Sequence, residues 1–167
     1  MTTEVGVEQS ISEADLKSVM GRFATGVTIV TAVDEGSAVG FTCQSFVSLS
    51  LDPPLIALAP AKSSTSWPRI FRAGSFCVNI LSDAQRDLCM AFAVPGGDKF
   101  SGISWSPASR GAPILDESLA FVECQLELVH DAGDHEIVVG RVLAVGQGNG
   151  SPLLYYRSRL ASMEPPS

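Results

Sequence analysis

The sequence predicts a mostly β fold, an antiparallel β-barrel with a few short helices packed against it. Three observations predict it. Six or more apolar segments with period two follow one another at hairpin spacing. Turn-forming runs such as Asp34-Glu35-Gly36-Ser37 and Asp131-Ala132-Gly133-Asp134 separate several of them. Helical periodicity is confined to three short segments, which does not build the strand–helix alternation of a doubly wound α/β sheet.

The elements follow in order. Ser12 is placed to cap a helix whose apolar residues Leu16, Val19, Met20 and Phe23 fall at i, i+3, i+4, i+7, so one buried face is expected. Val27, Ile29, Thr31 and Val33 then share one face of a strand, which turns at residues 34–37 and returns through Val39 to Cys43. Residues 44–54 read as an irregular, Ser-rich connection. Pro53-Pro54 bars helix there, and Leu55 to Ala59 is a strand. Trp67 to Phe71 is a short helix closed by Gly74, and Phe76 to Ile80 is again a strand. Ser82 and Gln85 form a capping box for a helix through Phe92. Val94 to Gly111 is loop-rich. Val122, Cys124, Leu126 and Leu128 alternate with Glu123, Gln125 and Glu127, the pattern of a half-buried strand, and Ile137 to Val145 pairs back on it. Pro152 to Arg159 closes the fold. A single domain over residues 11–161, with flexible tails at 1–10 and 162–167, is the expected organisation.

Composition narrows the function. Hydrophobic residues make up 46% of the 167 and charged residues 17%, a globular balance rich enough in apolar surface to suit an oligomer. The net charge of -7 repels a phosphate backbone and excludes nucleic acid as a general partner, while leaving room for a local pocket for one small anion. The N-terminus has neither a basic start nor an apolar core of a signal peptide, and no run approaches the roughly 20 apolar residues needed to span a bilayer. A cytoplasmic protein without a membrane partner is expected. Cys43, Cys77, Cys89 and Cys124 are widely spaced among apolar neighbours, and with two histidines in the chain they read as plain buried thiols rather than a metal site or a disulfide framework.

Three segments are able to carry chemistry. From Gly40 through Phe41, Thr42, Cys43, Gln44, Ser45 and on to Ser48, small hydroxyl residues leave a strand with backbone N–H groups that suit a polar ring edge and a phosphate; the alternative is a connection whose hydroxyls satisfy their own backbone. Lys62-Ser63-Ser64-Thr65-Ser66 places a cation and four hydroxyls before a helix, which serves either an anion or simple capping. Two such segments in one acidic domain favour an anion held from both sides. His135, in Gly133-Asp134-His135 at a hairpin tip, is a candidate ligand, base or packing ring, or an ordinary turn residue; His130 is expected at the surface. Phe92, Phe100 and Trp105 flank the Gly-rich stretch, to cover a flat ring or to pack the core. There is no G-x-G-x-x-G after a strand, no P-loop and no G-x-S-x-G, so a dinucleotide would not bind in the Rossmann manner.

The ordered set Phe23-Ala24-Thr25-Gly26-Val27-Thr28-Ile29-Val30-Thr31, Gly40-Phe41-Thr42, Ser45 through Pro54, Phe76 through Leu81, Gly133-Asp134-His135 and Pro152 through Arg157 resembles the short-chain flavin reductase family. Its members are the reductase components of two-component flavin monooxygenases, and the resemblance spans roughly Leu16 to Leu160. It implies a Greek-key split barrel built as a homodimer, with FMN or FAD as flavin and NADH or NADPH as hydride donor. It implies that the stretch matched by Thr42 to Ser48 wraps the flavin ring and ribityl chain. The stretch matched by Ala59, Pro60, Ala61 and Lys62 to Ser66 helps hold the phosphate. His135 and one tyrosine, Tyr155 or Tyr156, line the nicotinamide side. Cys43 contributes backbone rather than thiol.

That chemistry explains the missing acid–base machinery. Hydride passes from one cofactor to the other, so no residue is assigned as catalytic, and the protein has to stack two rings at about 3–3.5 Å. The absence of an evident basic cluster for a 2′-phosphate favours NADH. The partner is a monooxygenase component. Competing readings are a pyridoxamine-phosphate-type oxidase, which asks for a more cationic phosphate site than Lys62, Arg69 and Arg72 offer, and a non-catalytic flavin-binding or sensory barrel.

Overall fold

The computed structural model describes residues 10–163; most of the expected N-terminal tail and residues 164–167 of the C-terminal one lie outside them. Helix α1 (Glu13–Met20) is followed by strands β1 (Thr25–Gly26), β2 (Thr28–Asp34), β3 (Ser37–Cys43), β4 (Phe46–Leu51) and β5 (Pro54–Leu58). Helix α2 (Trp67–Ala73) leads into β6 (Ser75–Ile80), and a single 3-10 turn leads into α3 (Arg86–Ala93). The chain ends through β7 (Trp105–Pro107), β8 (Pro113–Leu115), the long pair β9 (Ala120–Ala132) and β10 (His135–Gln147), then β11 (Leu153–Tyr156) and β12 (Arg159–Ser162).

Seven strands form one antiparallel sheet in the order β3-β2-β6-β9-β10-β5-β4. Its two edge strands, β3 and β4, are joined in the chain by Gln44 and Ser45 alone. Two residues reach less than about 11 Å even when extended, so the sheet has to curl until its edges meet at that corner. It does so without edge-to-edge pairing: β3 and β4 are not hydrogen-bonded neighbours. The result is a split barrel, mostly antiparallel β, as the sequence predicts.

Two apolar clusters cover the two faces of the sheet. Val30, Ala32, Ile56, Phe76, Val78 and Val138 fill the inside, and α2 adds Trp67 and Ile70. Val27, Ile29 and Leu81 lie on the other face beneath Cys89 and Phe92 of α3, Leu115 and Leu153. Strand β2 is therefore buried on both faces, not on the single face that Val27, Ile29, Thr31 and Val33 suggest.

The turns form where expected. Glu35 and Gly36, both at positive φ, make the two-residue β2–β3 hairpin, and Gly133 with φ 74° opens the β9–β10 hairpin. Gly74 ends α2 in the left-handed region, and Ser82 and Gln85 make one of the two capping-box bonds, the Ser82 amide donating to Gln85 Oε1 at 2.9 Å.

Three expectations need correction. Helix α1 starts at Ser12, whose side chain accepts from the Asp15 amide, but its apolar face is not buried: Leu16, Val19, Met20 and, beyond its end, Phe23 are exposed, Phe23 at 71%. Among the described residues, no element packs over them. Residues 46–51 are a strand, not an irregular connection; Val47, Leu49 and Leu51 alternate with Ser48 and Ser50, a period masked by the serines. In β9 the alternation fails at both ends. Glu123 is 1% exposed because the 108–112 loop covers it, with Ser109 Oγ and the Arg110 amide each donating at 2.7 Å. Leu128 is exposed because β6 pairs only with residues 120–125 of β9, leaving the far half without that neighbour. A smaller difference concerns Ser162, expected in the tail, which closes β12.

Candidate functional site

The cleft lies where the barrel is split. Its volume is about 790 Å³, enough for an aromatic ring system with its side chain. The end of β3, the Gln44-Ser45 corner and the segment after β5 form one wall, and the start of β10 with His135 and Ile137 adjoins it. The C-terminal end of α3 and the loop after it, Phe92 to Pro95 and Lys99, close the opposite side, and Met20 and Phe23 stand at the mouth.

The two Ser-rich segments singled out in the sequence meet here. Phe41, Thr42, Cys43, Gln44 and Ser45 line the cleft, as do Ala59, Pro60, Ala61, Ser63, Ser64, Thr65 and Ser66. Gly40, Ser48, Lys62, Tyr155 and Tyr156 do not. Gly40 sits one step behind, where its carbonyl accepts from Ser66 Oγ at 2.9 Å. Lys62 is turned outward to an ion pair with Asp131 at 2.7 Å. Tyr155 packs against the outer cluster beside α3, and Tyr156 lies in a shallow hollow with Arg157 and Arg159.

Several of the hydroxyls are used by the fold itself. Thr42 Oγ1 donates to Cys89 O at 2.6 Å, tying β3 to α3. Ser45 Oγ donates to Ala59 O and accepts from Ala59 N, which staples the corner to β5. Ser64 Oγ accepts from Trp67 N at the start of α2. Among the described residues, the side chains of Gln44, Ser63 and Thr65 carry no hydrogen bond and stay free for a ligand. Cys43 is buried, and desolvation pushes its thiol up, so the thiol is inert at neutral pH.

The His135 hairpin is stitched to the flanking loop. Lys62 N donates to Asp134 O, Glu136 N donates to Pro60 O, and Ala61 pairs with His135. Asp134 Oδ1 lies 2.7 Å from His135 Nδ1, and that imidazole holds the Asp134 carboxyl below the usual carboxylate range. Nε2 of His135 is left for a ligand. Of Phe92, Phe100 and Trp105, which the sequence offers as ring cover or core packing, Phe92 alone lines the cleft; Lys99, the one basic residue between Arg86 and Arg110, lines it without a signal in the sequence.

The residues fit a flavin. The floor is apolar, from Phe41, Phe46, Leu58 and Phe92, and the rim carries free amide and hydroxyl groups with no Asp or Glu. Cys and His residues gather into no metal-binding group among the described residues.

Comparison with known proteins agrees with that geometry. Residues 20–164 match the flavin reductase like domain. The reductase subunit HsaB of a flavin-dependent monooxygenase from Rhodococcus jostii is 46% identical over 158 residues, covering 94% of this chain and 81% of that one. The crystal structure of nitrilotriacetate monooxygenase component B from Mycobacterium thermoresistibile superposes with a TM-score of 0.89 at 46% identity, over 92% of this chain and 87% of that one. The NADH:FAD oxidoreductase SgcE6 of Streptomyces globisporus, in complex with NAD and FAD fragments, superposes with a TM-score of 0.86 at 30% identity, over 92% and 94% of the two chains.

Proposed function

The chain belongs to the flavin reductase-like family, and from that premise we propose that it transfers hydride from NADH to FAD or FMN and delivers the reduced flavin to a separate monooxygenase component. The cleft carries this reading: it joins an apolar floor to a rim of unpaired amide and hydroxyl groups and offers no carboxylate acid or base. Support for NADH and FAD comes from the relative named NADH:FAD oxidoreductase, and for FMN from a relative of Agrobacterium fabrum named FMN reductase (NADH). The flavin supplies the hydride-accepting chemistry when bound.

The protein's part is binding and alignment. The backbone from Thr42 to Ser45 and the Gln44 side chain hold the ring edge, and Ser63 and Thr65 donate to the ribityl phosphate. Phe41, Phe92 and Phe46 exclude water from the ring. His135, fixed through Nδ1 by Asp134, presents Nε2 to the nicotinamide and orients it without moving a proton. Tyr155 and Tyr156 are both retained as candidates on that side. The active form in this reading is a cytoplasmic homodimer, and no helix among the described residues is long and apolar enough to cross a membrane.

The test is aerobic NADH oxidation, followed by the loss of the reduced nicotinamide absorbance, with FMN, FAD or no flavin added. Turnover that depends on flavin is expected. Saturable flavin binding without turnover with either NADH or NADPH would replace this reading with a non-catalytic flavin-binding or sensory role.

A further inference from the structure

Positive charge is spread unevenly over this acidic chain. Among the described residues, Lys17, Lys62, Arg69, Arg72 and Arg141 each meet a carboxylate. Arg22, Arg86, Arg157 and Arg159 meet none, and the fold gathers these four around one hairpin. Arg157 and Arg159 frame the β11–β12 turn, where Arg157 and Ser158 both stand at positive φ. Asn and Gly are the ordinary occupants of such a turn, so an arginine is held there against the backbone preference. The Arg157 amide donates to Gly21 O at 2.8 Å, which brings Arg22 against the hairpin. From the other side, Arg86 Nη1 at the start of α3 donates to Leu160 O at 3.1 Å, beside Arg159. Tyr156 lies opposite Arg159 across the two strands, so their side chains share one face.

Tyr156, Arg157 and Arg159 line a shallow hollow that has no lining residue in common with the cleft. The two lie close together all the same. Met20 and Phe23, which flank Gly21 and Arg22, stand at the cleft mouth, and Thr25 of its wall pairs with Tyr155. The phosphate of a cleft-bound cofactor asks for a site that continues the cleft, and this hollow does not. Exposed guanidinium forks on a shallow face suit instead the carboxylates of another macromolecule, which such charges also steer into contact. We propose that this arginine face docks a carboxylate-rich protein surface, that of the monooxygenase component, beside the mouth from which reduced flavin leaves. The proposal rests on the flavin reductase reading.

A short fluorescein-labelled polyglutamate is the probe, and its binding to the full chain is read by fluorescence anisotropy. Saturable binding by wild type is expected, weakening as salt is added. The double variant Arg157→Ser, Arg159→Ser should weaken it about three- to thirtyfold, the scale of two exposed charge pairs. Removing as many cations from the 108–112 loop and β10, in Arg110→Ser, Arg141→Ser, should change it little. Saturating polyglutamate should leave the KM of wild type for NADH unchanged. Since that arm and the salt dependence are read on wild type, a variant that misfolds does not remove the test. No binding, or equal losses in the two double variants, overturns the proposal. A raised KM for NADH overturns it too, by giving the arginines to the phosphates of the dinucleotide. So does a dimer that dissociates in Arg157→Ser, Arg159→Ser, since the face would then belong to a second copy. A wild type that binds the probe yet oxidises no NADH with either flavin removes the proposed function, and with it the monooxygenase as occupant, while loss of probe binding alone removes only the docking face.

Discussion

A methyl group at position 40 would stand 2.9 Å from the Phe92 ring and 2.9 Å from Val30 O. The carbonyl belongs to the β2–β3 ladder and has little freedom to give way, so the Phe92 ring would have to move, and it forms part of the cleft floor. Gly40→Ala is therefore expected to cost about 1–3 kcal/mol in stability, the range for overpacking a filled site, and to weaken FMN binding. Thermal melting and a flavin titration check this; a variant with wild-type Tm and Kd would show that the ring has room. Residue type alone marked position 40 as part of the site, though the structure gives it a supporting place behind the lining. The reverse holds for the cations. Lys62 stood out because it adjoins four hydroxyls, yet its partner is 69 residues away, and nothing local in the sequence announces that ion pair. Lys99 has no such signal, because its neighbours Gly96, Gly97 and Gly102 read only as loop.

At the scale of elements, α2 is fastened to the β2–β3 hairpin by one buried carboxylate. Asp34 is 4% exposed and takes Arg72 and Arg69, both from α2. The hydrogen bond from Arg72, followed by that from Arg69, holds the Asp34 carboxyl below its ordinary range. A depressed carboxylate pKa contributes stability that is complete above the unfolded value, near 4, and is lost as pH falls through the folded one. The stability gap between wild type and Asp34→Asn should therefore be wide near neutrality and narrow in acid below about pH 4. Urea melts across that range measure it, and a gap that stays constant with pH would assign the effect to packing instead. Because α2 follows directly on the Ser63–Ser66 segment, the clasp also fixes the proposed phosphate wall. Turn chemistry made most elements legible: Glu35-Gly36, Gly74, Ser82 with Gln85, and Gly133 each stand where the structure bends or caps. Strand β4 escaped because three serines and two prolines outweighed Val47, Leu49 and Leu51 at period two. Glu123 escaped because no local pattern says that a loop 13 residues earlier will cover a charged side chain.

For the whole molecule, the same missed strand raises the question of what covers it. Strand β4 is an edge of the seven-stranded sheet, and it exposes Val47, Leu49 and Leu51, the last at 89%. An exposed apolar edge strand invites association unless something blunts it, and β4 has neither a Lys nor a Glu to do so. Helix α1 adds a second apolar face, through Leu16, Val19 and Met20, that no other described residues cover. The periodicity that predicted a buried face for α1 was correct about the pattern and silent about the partner, because one chain's sequence does not say whose surface completes it. The homodimer that the family resemblance implies would supply a second copy to cover these surfaces, and that is open to test. Light scattering is therefore expected to give twice the 17.6 kDa chain mass. The double variant Leu49→Glu, Leu51→Glu should shift that mass toward the monomer while retaining the β-rich circular dichroism of wild type, since neither side chain contributes to the interior clusters. A wild type that runs as a monomer at micromolar concentration would leave these faces to another partner, the monooxygenase component first among them. An unchanged dimer in the double variant would move the interface away from β4 and onto α1.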